Sequence, residues 1–331
     1  MNAAQLVMMG IEGTALTGPE REVLAETPPG GVILFSRNCP SAAACADLVA
    51  EIQGLNRAGE PPLLVAIDQE FGPVCRLRQG VPDFPGAAAL GKKGELSLTE
   101  ATAFRIGRCL GDYGINCNLA PVADLSCPGS RVLADRCFAA EPEETAAQVR
   151  SYIVGLQRAG LAACAKHFPG HGSVTDDSHA VLPVSSLDLE KLRSSHLRPF
   201  AAAVDAGVKM IMTAHIMFPE MDSRRPATLS PFFLDRLLRR QLGFKGVVLS
   251  DDLDMAAVES GDDLAATMSQ GLEAGLDMVL WGRNLKKGDD PRRVLARLQI
   301  MVDDRDGATR ERFAAKQKRL KTLRKWLENN G

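Results

Sequence analysis

The sequence lacks the features that mark nucleic-acid-binding and membrane proteins. Its 331 residues contain 39 Lys and Arg against 41 Asp and Glu, so the net charge at pH 7 is only −2. A chain without a basic surplus has no positive field to hold nucleic acid or an anionic membrane surface. It also contains no uninterrupted apolar run of about 18 residues, the length that a membrane-spanning helix needs. We therefore expect neither nucleic acid nor a membrane as a partner.

The N-terminus and the cysteines also lack the signals of secreted and metal-binding proteins. The first residues, MNAAQLVMMGIEG, have neither the charged beginning nor the long apolar stretch of a signal peptide. None of the eight cysteines is spaced as CxxC, and several lie in apolar runs such as LAACAK. We expect reduced, mostly buried thiols, no zinc site and a cytoplasmic location.

One segment is basic although the chain as a whole is not. The C-terminal run RERFAAKQKRLKTLRKW has helical spacing and belongs to a predicted helix at about 307–329. A charge run of this kind is typical of a solvated helix face, so we interpret it in that way rather than as a binding patch.

What the sequence does contain is a repeated alternation of apolar runs and helical patterns. Hydrophobic residues make up 45% of the chain and charged residues 24%, the balance of a globular protein with a large core. Each apolar run has the length of a buried parallel strand, and the helical segments between them often end in glycine. The runs are LVMMGI (6–11), GVILFS (31–36), LLVAI (63–67), INCNLA (115–120), LAACAK (161–166), VKMIMTA (208–214), GVVLS (246–250) and LDMVLW (276–281).

This alternation predicts an α/β fold, a (β/α)8 barrel of the TIM type that forms a single domain over residues 1–331. The alternative is a doubly wound open sheet, although no GxGxxG follows an early strand. In a barrel, functional side chains follow the C-terminal ends of the strands. The polar residues at these places are Glu12, Arg37, Asn38, Asp68, Gln69, Glu70, Asp124, Arg136, Lys166, His167, His215, Asp251 and Asp252.

The segment KHFPGHGSVTDDSH, residues 166–179, holds three of the five histidines of the chain. Zinc binding by His167 and His171 would require both rings on one helix face, which the intervening proline and glycine prevent. Phosphate binding by PGHGS is a weak alternative because no GK[ST] follows.

Acid/base chemistry with carboxylates suits the segment better. Asp251 at a strand end is a candidate nucleophile of the kind that glycosidases use. Asp177 is two residues from His179, and a carboxylate beside a histidine can orient the ring and stabilise its charged form. This spacing is common by chance, so the residues alone leave the reaction open.

The same segments resemble one family in consistent order from about residue 5 to 285. KHFPGHGSVTDDSH is similar to the KHFPGHG-x-x-x-x-DSH signature of glycoside hydrolase family 3, in its β-N-acetylglucosaminidase branch. GVVLSDDLDM resembles that family's nucleophile segment on the seventh strand. Other stretches with the same resemblance are GGVILFSRNC, AIDQE, APVADL with DRCF, and IMTAHIMFPEMD.

The resemblance implies a role for each matching residue and a (β/α)8 barrel without metal or cofactor. It implies that Asp251 attacks the anomeric carbon, that His179 is the general acid/base, and that Asp177 orients His179. The substrate-binding residues that it implies are Asp68, Arg76, Arg136, Lys166 and His167.

The implied activity is that of a retaining exo-β-N-acetylglucosaminidase. Its substrates would be small carbohydrates, the GlcNAc-1,6-anhydroMurNAc fragments, with or without peptide, that arise in cytoplasmic peptidoglycan recycling. We expect a monomer. Three alternatives stay open: a β-glucosidase, a phosphorylase of the same family, and a sugar-binding barrel without activity.

The chain departs from the family pattern after the third strand, where DQEFGPV replaces the usual DQEGGRV. We expect Phe71 and Pro73 at the mouth of the site, with Phe71 narrowing it or offering a stacking surface. We also expect Gly170 and Gly172 to let the loop move His179. His171 is interpreted as structural, Asp176 as an exposed acid, and Asp252 as a helix-start residue that satisfies backbone amides.

Overall fold

The structure, a computed structural model, describes residues 2–56, 59–127, 129–130, 132–176, 181–255, 263–284 and 289–331. Within these ranges, eight parallel strands are hydrogen-bonded in chain order and close into a barrel. The pairing of Val7 with Val279 joins the last strand to the first. The predicted (β/α)8 fold is therefore confirmed, and the open doubly wound sheet is wrong because an open sheet leaves its outer strands unpaired.

Each strand coincides with one of the predicted apolar runs. Most strands are buried along their whole length, because helices cover the outside of the barrel and side chains fill its inside. Only β7 ends in partly exposed residues, Asp251 and Asp252. The strands are β1 (Val7–Gly10), β2 (Gly31–Leu34), β3 (Leu64–Ile67), β4 (Cys117–Asn118), β5 (Ala162–Phe168), β6 (Met210–Thr213), β7 (Val247–Asp252) and β8 (Met278–Trp281).

The helices begin and end where the sequence supplies caps and breakers. Ser41 caps α2 by accepting a hydrogen bond from the backbone N of Ala44, and Pro142 begins α5 at a position that needs no donor. The helices are α1 (Gly18–Glu26), α2 (Ala42–Gly54), α3 (Ala87–Lys93), α4 (Leu96–Gly111), α5 (Pro142–Arg158), α6 (Leu189–Ser194), α7 (Leu197–Asp205), α8 (Leu264–Ala274), α9 (Pro291–Asp303) and α10 (Gly307–Asn330), with a π-helix at Phe232–Gln241 and 3-10 turns at Ala3–Leu6, Ala134–Arg136, His171–Ser173 and Ala227–Leu229.

The segment DLEKLRSSHLRPFAAAVDAG, residues 188–207, is one of the helical patterns between the apolar runs, but the structure divides it into α6 and α7. Ser195 lies between them with φ −126° and ψ −87°, outside the helical region. The cause is Pro199, which has no N–H to donate to the Ser195 carbonyl and whose ring clashes with that carbonyl in a helix.

Helix α10 crosses the end of the barrel at which the strands begin. Its Arg319 binds Asp277, just before β8, and its Arg324 Nε donates to the Pro62 carbonyl, just before β3, at 2.9 Å. Since all strands are parallel, these residues share one end of the barrel. The C-terminal ends of the strands therefore open on the opposite side.

Two expectations from composition are also answered by the structure. All eight cysteines lie in the described ranges and five of them are buried, which confirms the expectation of mostly buried thiols. Across the described parts of the chain, no helix combines the length and apolar character needed to cross a bilayer.

Candidate active site

A cavity opens at the C-terminal ends of the strands. Its depth is lined by apolar side chains of the barrel, and its upper part by titratable groups from several loops. The predicted site residues Asp177 and His179 lie outside the described residues. The other six share this one cavity: Asp68, Arg76, Arg136, Lys166, His167 and Asp251.

Lys166, near the end of β5, is the centre of an ion-pair network. Its Nζ lies 2.7 Å from Asp68 Oδ1 and 2.7 Å from Glu70 Oε1. Arg136 binds Glu70 through two nitrogens, Nε to Oε2 at 2.9 Å and Nη2 to Oε1 at 3.0 Å. Arg76 Nη2 lies 3.6 Å from the second oxygen of Asp68. Three cations thus hold two carboxylates that follow β3.

The network keeps Glu70 and Lys166 charged in spite of burial. Burial alone would raise the pKa of Glu70, but Lys166 and Arg136 outweigh it and lower that pKa to about 2. Burial alone would lower the pKa of Lys166, but Asp68 and Glu70 raise it above its ordinary value. A buried set of charged donors and acceptors with fixed geometry is suited to neighbouring hydroxyl groups, which both donate and accept.

Lys166→Met should destabilise the fold by about 3–5 kcal/mol, because it leaves Asp68 and Glu70 without their shared cation. Lys316 on α10 offers a matched control. It is 5% exposed, forms no ion pair within the described ranges, and burial lowers its pKa to about 8. Urea unfolding should show a much smaller loss for Lys316→Met. Equal losses would assign the effect to buried volume rather than to ion pairing.

Asp124, which follows β4, orients the residues at the end of β5. Its Oδ2 accepts hydrogen bonds from His167 Nδ1 at 2.7 Å and from the backbone N of His167 at 3.2 Å. Burial would raise the pKa of Asp124, but His167 and His171 lower it. Because Nδ1 is bound to Asp124, Nε2 is the nitrogen of His167 that is left for a ligand.

The first turn of the loop after β5 is fixed by packing. Asp124 Oδ1 accepts a hydrogen bond from the backbone N of His171 at 2.6 Å, and a 3-10 turn spans His171–Ser173. A Cβ on Gly172 would lie 2.2 Å from the Leu125 carbonyl oxygen. This close approach alone requires glycine at position 172, and the expected loop movement stays a prediction.

His171 and Asp176, in the same loop, can be compared with their interpretation from the sequence. His171 is 1% exposed, and its backbone bond to Asp124 agrees with a structural role, yet its ring also lines the cavity. Asp176 is exposed, as interpreted.

Asp251 and Asp252 end β7 and both line the cavity, but their carboxylates accept different hydrogen bonds. Asp251 lines the cavity, and its Oδ1 accepts a hydrogen bond from the backbone N of Asp252 at 2.8 Å. Asp252 Oδ1 accepts from the backbone N of Gly282 at 2.9 Å and of Asp254 at 3.1 Å. A Cβ on Gly282 would lie 2.1 Å from Asp252 Oδ2, so this position needs glycine. Asp252 does satisfy backbone amides, as interpreted, and the amide of Gly282 ties the end of β7 to the end of β8.

His215, which follows β6, is fully buried and supports the same strand end. Its Nε2 lies 3.1 Å from the backbone carbonyl oxygen of Asp252, and its Nδ1 lies 3.0 Å from Thr228 Oγ1. His215 thus positions the backbone next to Asp251. In the described ranges, no group of three or more His, Cys, Asp or Glu has the arrangement of a metal site.

Asp252 should make folding stability pH-dependent. Burial and the neighbouring Asp254 raise its pKa from 3.8 to about 7. Because the folded protein holds this proton more tightly than the unfolded chain, the contribution to stability is complete below about pH 4 and is lost as the pH rises to about 7. The difference in unfolding free energy between the wild type and Asp252→Asn should therefore fall between about pH 4 and about pH 7. Urea unfolding of both proteins at a series of pH values measures this difference in free energy. The contributions of the histidines are common to both proteins and cancel. A difference that does not change with pH would contradict the assignment.

Phe71 does not lie at the mouth of the cavity, so that expectation is wrong. It is 5% exposed, does not line the cavity, and packs edge to face on Phe84 with ring centroids 4.9 Å apart. Its φ is +54°, in the left-handed region that favours glycine. The packing on Phe84 offsets the strain at the position where the family pattern DQEGGRV has glycine. Pro73 is exposed and is likewise absent from the cavity lining.

Another aromatic residue occupies the place that Phe71 was expected to fill. Phe35, just after β2, lines the cavity. The guanidinium carbons of Arg37 and Arg76 lie 4.7 Å and 5.7 Å from its ring centroid. The stacking surface of the cavity is therefore an aromatic ring flanked by two cations.

Sequence reasoning did not assign roles to Glu70, Asp124 or Phe35. Glu70 and Asp124 both follow strand ends in a predicted barrel, and this position could have identified them as site residues. Phe35 carries no such signal, because a phenylalanine at the end of an apolar run is indistinguishable from a core residue.

Comparison with known proteins gives consistent results. Residues 2–323 match the Glycosyl hydrolase family 3 N terminal domain. The chain is 41% identical over 276 residues to a beta-hexosaminidase of Methylococcus capsulatus strain Bath, covering 82% of this chain and 81% of that protein.

Solved structures extend the comparison. A family 3 beta-N-acetylglucosaminidase from Paenibacillus sp. FPU-7 is 36% identical, with a TM-score of 0.92 over 100% of this chain and 62% of that chain. NagZ from Neisseria gonorrhoeae, in complex with N-trifluoroacetyl-D-glucosamine, is 31% identical, with a TM-score of 0.77 over 96% of this chain and 97% of that chain.

Proposed function

Because the chain belongs to glycoside hydrolase family 3, we propose that it is a retaining exo-β-N-acetylglucosaminidase that removes terminal GlcNAc from β-linked substrates. One observation carries the proposal. Asp251 lies in the same cavity as Lys166, Asp68 and His167, so a carboxylate nucleophile faces a buried set of hydroxyl-binding groups.

The hydroxyl-binding set would fix one sugar ring. Asp68 accepts hydrogen bonds from sugar hydroxyls, while Lys166, Arg76 and Arg136 donate to sugar oxygens. His167 contributes Nε2, since Asp124 holds its Nδ1. Fixed charged partners of this kind orient the anomeric carbon toward Asp251, which favours attack by making it intramolecular.

The shape of the cavity supports removal of terminal sugars. Its depth is closed by side chains of the barrel core, among them Ile33 of β2, Met212 of β6 and Leu280 of β8. A chain of sugars has no exit through a packed barrel interior, so only an end residue can enter.

The proposed reaction has two steps. In the first, a carboxylate oxygen of Asp251 bonds to the anomeric carbon, the glycosidic bond breaks, and His179 gives its proton to the departing oxygen. In the second, His179 takes a proton from water, the water oxygen attacks the anomeric carbon, and the ester to Asp251 breaks. Two inversions return the β configuration. The role of Asp177 is to orient His179, and both roles rest on the DSH segment of the sequence.

The substrate proposal follows the relatives. The Methylococcus protein carries the name beta-hexosaminidase, and the gonococcal structure holds an N-acylated glucosamine. We take the natural substrate to be the GlcNAc-1,6-anhydroMurNAc fragments of the cell wall, cleaved by a cytoplasmic monomer, because the KHFPGHGSVTDDSH segment resembles that branch of the family.

An assay with paired substrates tests the proposed function. The protein should release the aryl group from a β-N-acetylglucosaminide much faster than from the matching β-glucoside, and added phosphate should not appear in the sugar product. Faster release from the glucoside would favour a β-glucosidase. Formation of a sugar phosphate would favour a phosphorylase, and no release from either would favour a sugar-binding barrel.

A further inference from the structure

A second cavity, which we call the basal cavity, lies at the opposite end of the barrel from the active site. It has a volume of about 610 Å³ and lies between the segments that lead into β6 and β7 and one side of α10. Val204, Phe244, Leu323 and Trp326 contribute apolar and aromatic surface to it. A concave site of a few hundred Å³ with apolar walls is typical of a small-molecule pocket.

The polar side chains of the basal cavity are almost all cationic. Lys209, Lys245, Lys318 and Arg319 line it, and no Asp or Glu of the described chain does. The first three form no ion pair with any carboxylate in the described ranges. This concentration of positive charge contrasts with a chain whose net charge is −2.

The carboxylate that binds Arg319 does not neutralise the positive charge of the basal cavity. Asp277 is fully buried and accepts a hydrogen bond from Arg319 Nε at 2.8 Å, but it also binds Arg239. One carboxylate is thus shared by two guanidinium groups. The wall of the cavity at Arg319 keeps a surplus of positive charge.

A solvated helix face does not explain all of these cations. That interpretation of the basic C-terminal run suits Lys318, which is exposed on α10. It does not suit Lys209, which is half-buried with its Nζ 4.6 Å from the ring centroid of Trp326. Burial lowers the pKa of Lys209, the expected response of a cation that lacks an anionic partner.

We propose that the basal cavity binds a small amphipathic anion, in which a carboxylate, sulfonate or phosphate group is attached to a flat apolar body. The anionic group would be held by Lys209 and Lys318, and the apolar body would lie against Phe244, Leu323 and Trp326. A concave pocket in a chain without a basic surplus fits a small ligand better than a membrane or a nucleic acid. The proposal is independent of the glycosidase function.

Binding of anilinonaphthalene sulfonate, a flat aromatic anion, tests the proposal on the full chain. The fluorescence titration should saturate at one site, and the Kd should rise by about tenfold or more, equivalent to ~1.4 kcal/mol, in the double variant Lys209→Met with Lys318→Met. These substitutions keep the aliphatic stems and remove only the charges. The double variant Lys92→Met with Lys93→Met removes two exposed charges from α3 and should leave the Kd unchanged.

Two further arms decide between the proposal and its rivals. The neutral analogue phenylnaphthylamine should bind far more weakly than the sulfonate, and turnover of aryl glycosides should be the same in both double variants, which shows that they fold. Equal sulfonate affinity in the two double variants, or equal affinity for the neutral analogue, would overturn the proposal. So would sedimentation with phosphatidylglycerol vesicles that depends on Lys209 and Lys318 without saturable sulfonate binding.

Discussion

Asp251→Asn should abolish turnover of every β-N-acetylglucosaminide, whatever its leaving group. The amide cannot form the glycosyl ester, so the first step is lost for every substrate, whether its leaving group is good or poor. Removing the nucleophile of a covalent enzyme costs on the order of 10⁶-fold in turnover. Steady-state assays with dinitrophenyl and methyl glycosides measure the loss at both extremes of leaving-group ability.

Asp252→Asn is the matched control, since it makes the same change at the next residue. An asparagine there keeps an oxygen that can accept from the backbone N of Gly282, so the end of β7 stays tied to β8. This variant should retain measurable turnover. Similar losses in both variants would show that the strand end, rather than the nucleophile, had been disturbed.

His179→Ala should slow the hydrolysis of substrates with poor leaving groups and have little effect on the hydrolysis of activated substrates. General acid catalysis contributes about 10²–10⁴-fold, so this is the expected loss for methyl glycosides, while dinitrophenyl glycosides depart without a proton. Hydrolysis of the ester intermediate then limits the rate, and azide should speed it by replacing water.

Asp177→Ala should show a milder form of the same pattern, because it disturbs the orientation of the ring without removing it.

The control for the histidine variant is His196→Ala. His196 lies before α7 and outside the cavity lining, so its loss should not depend on the leaving group. A uniform loss in His179→Ala across all leaving groups would remove His179 from the general acid role and leave the Asp177–His179 pair without its proposed function.

The sequence was informative about the fold because parallel strands buried on both faces read as short apolar runs. Each of the eight runs became a strand, and the order of the strands follows from the regular alternation with helices. The break between α6 and α7 could have been predicted from Pro199, whose effect falls on the residue four positions earlier. The role of α10 could not, because its docking on Asp277 and Pro62 depends on contacts far apart in sequence.

For the candidate site, the sequence predicted which residues lie near the strand ends, but it did not predict where their side chains point. Asp68, Lys166 and Asp251 follow strand ends, and a barrel brings strand ends together. The direction of a loop side chain depends on backbone dihedrals that composition does not reveal. Phe71 shows this, since a φ of +54° turns it into the core against Phe84 while Phe35 takes its place in the cavity.

The most direct test of the proposed mechanism is to locate the covalent intermediate. A fluorinated N-acetylglucosaminyl fluoride forms the ester quickly and slows its hydrolysis, so the sugar should remain on the protein. Fragment-ion mass spectrometry of the peptide that contains Asp251 and Asp252 then shows which residue carries the added mass. We expect the sugar on Asp251. Label on any other residue, or the absence of label together with an inverted α product, would contradict it.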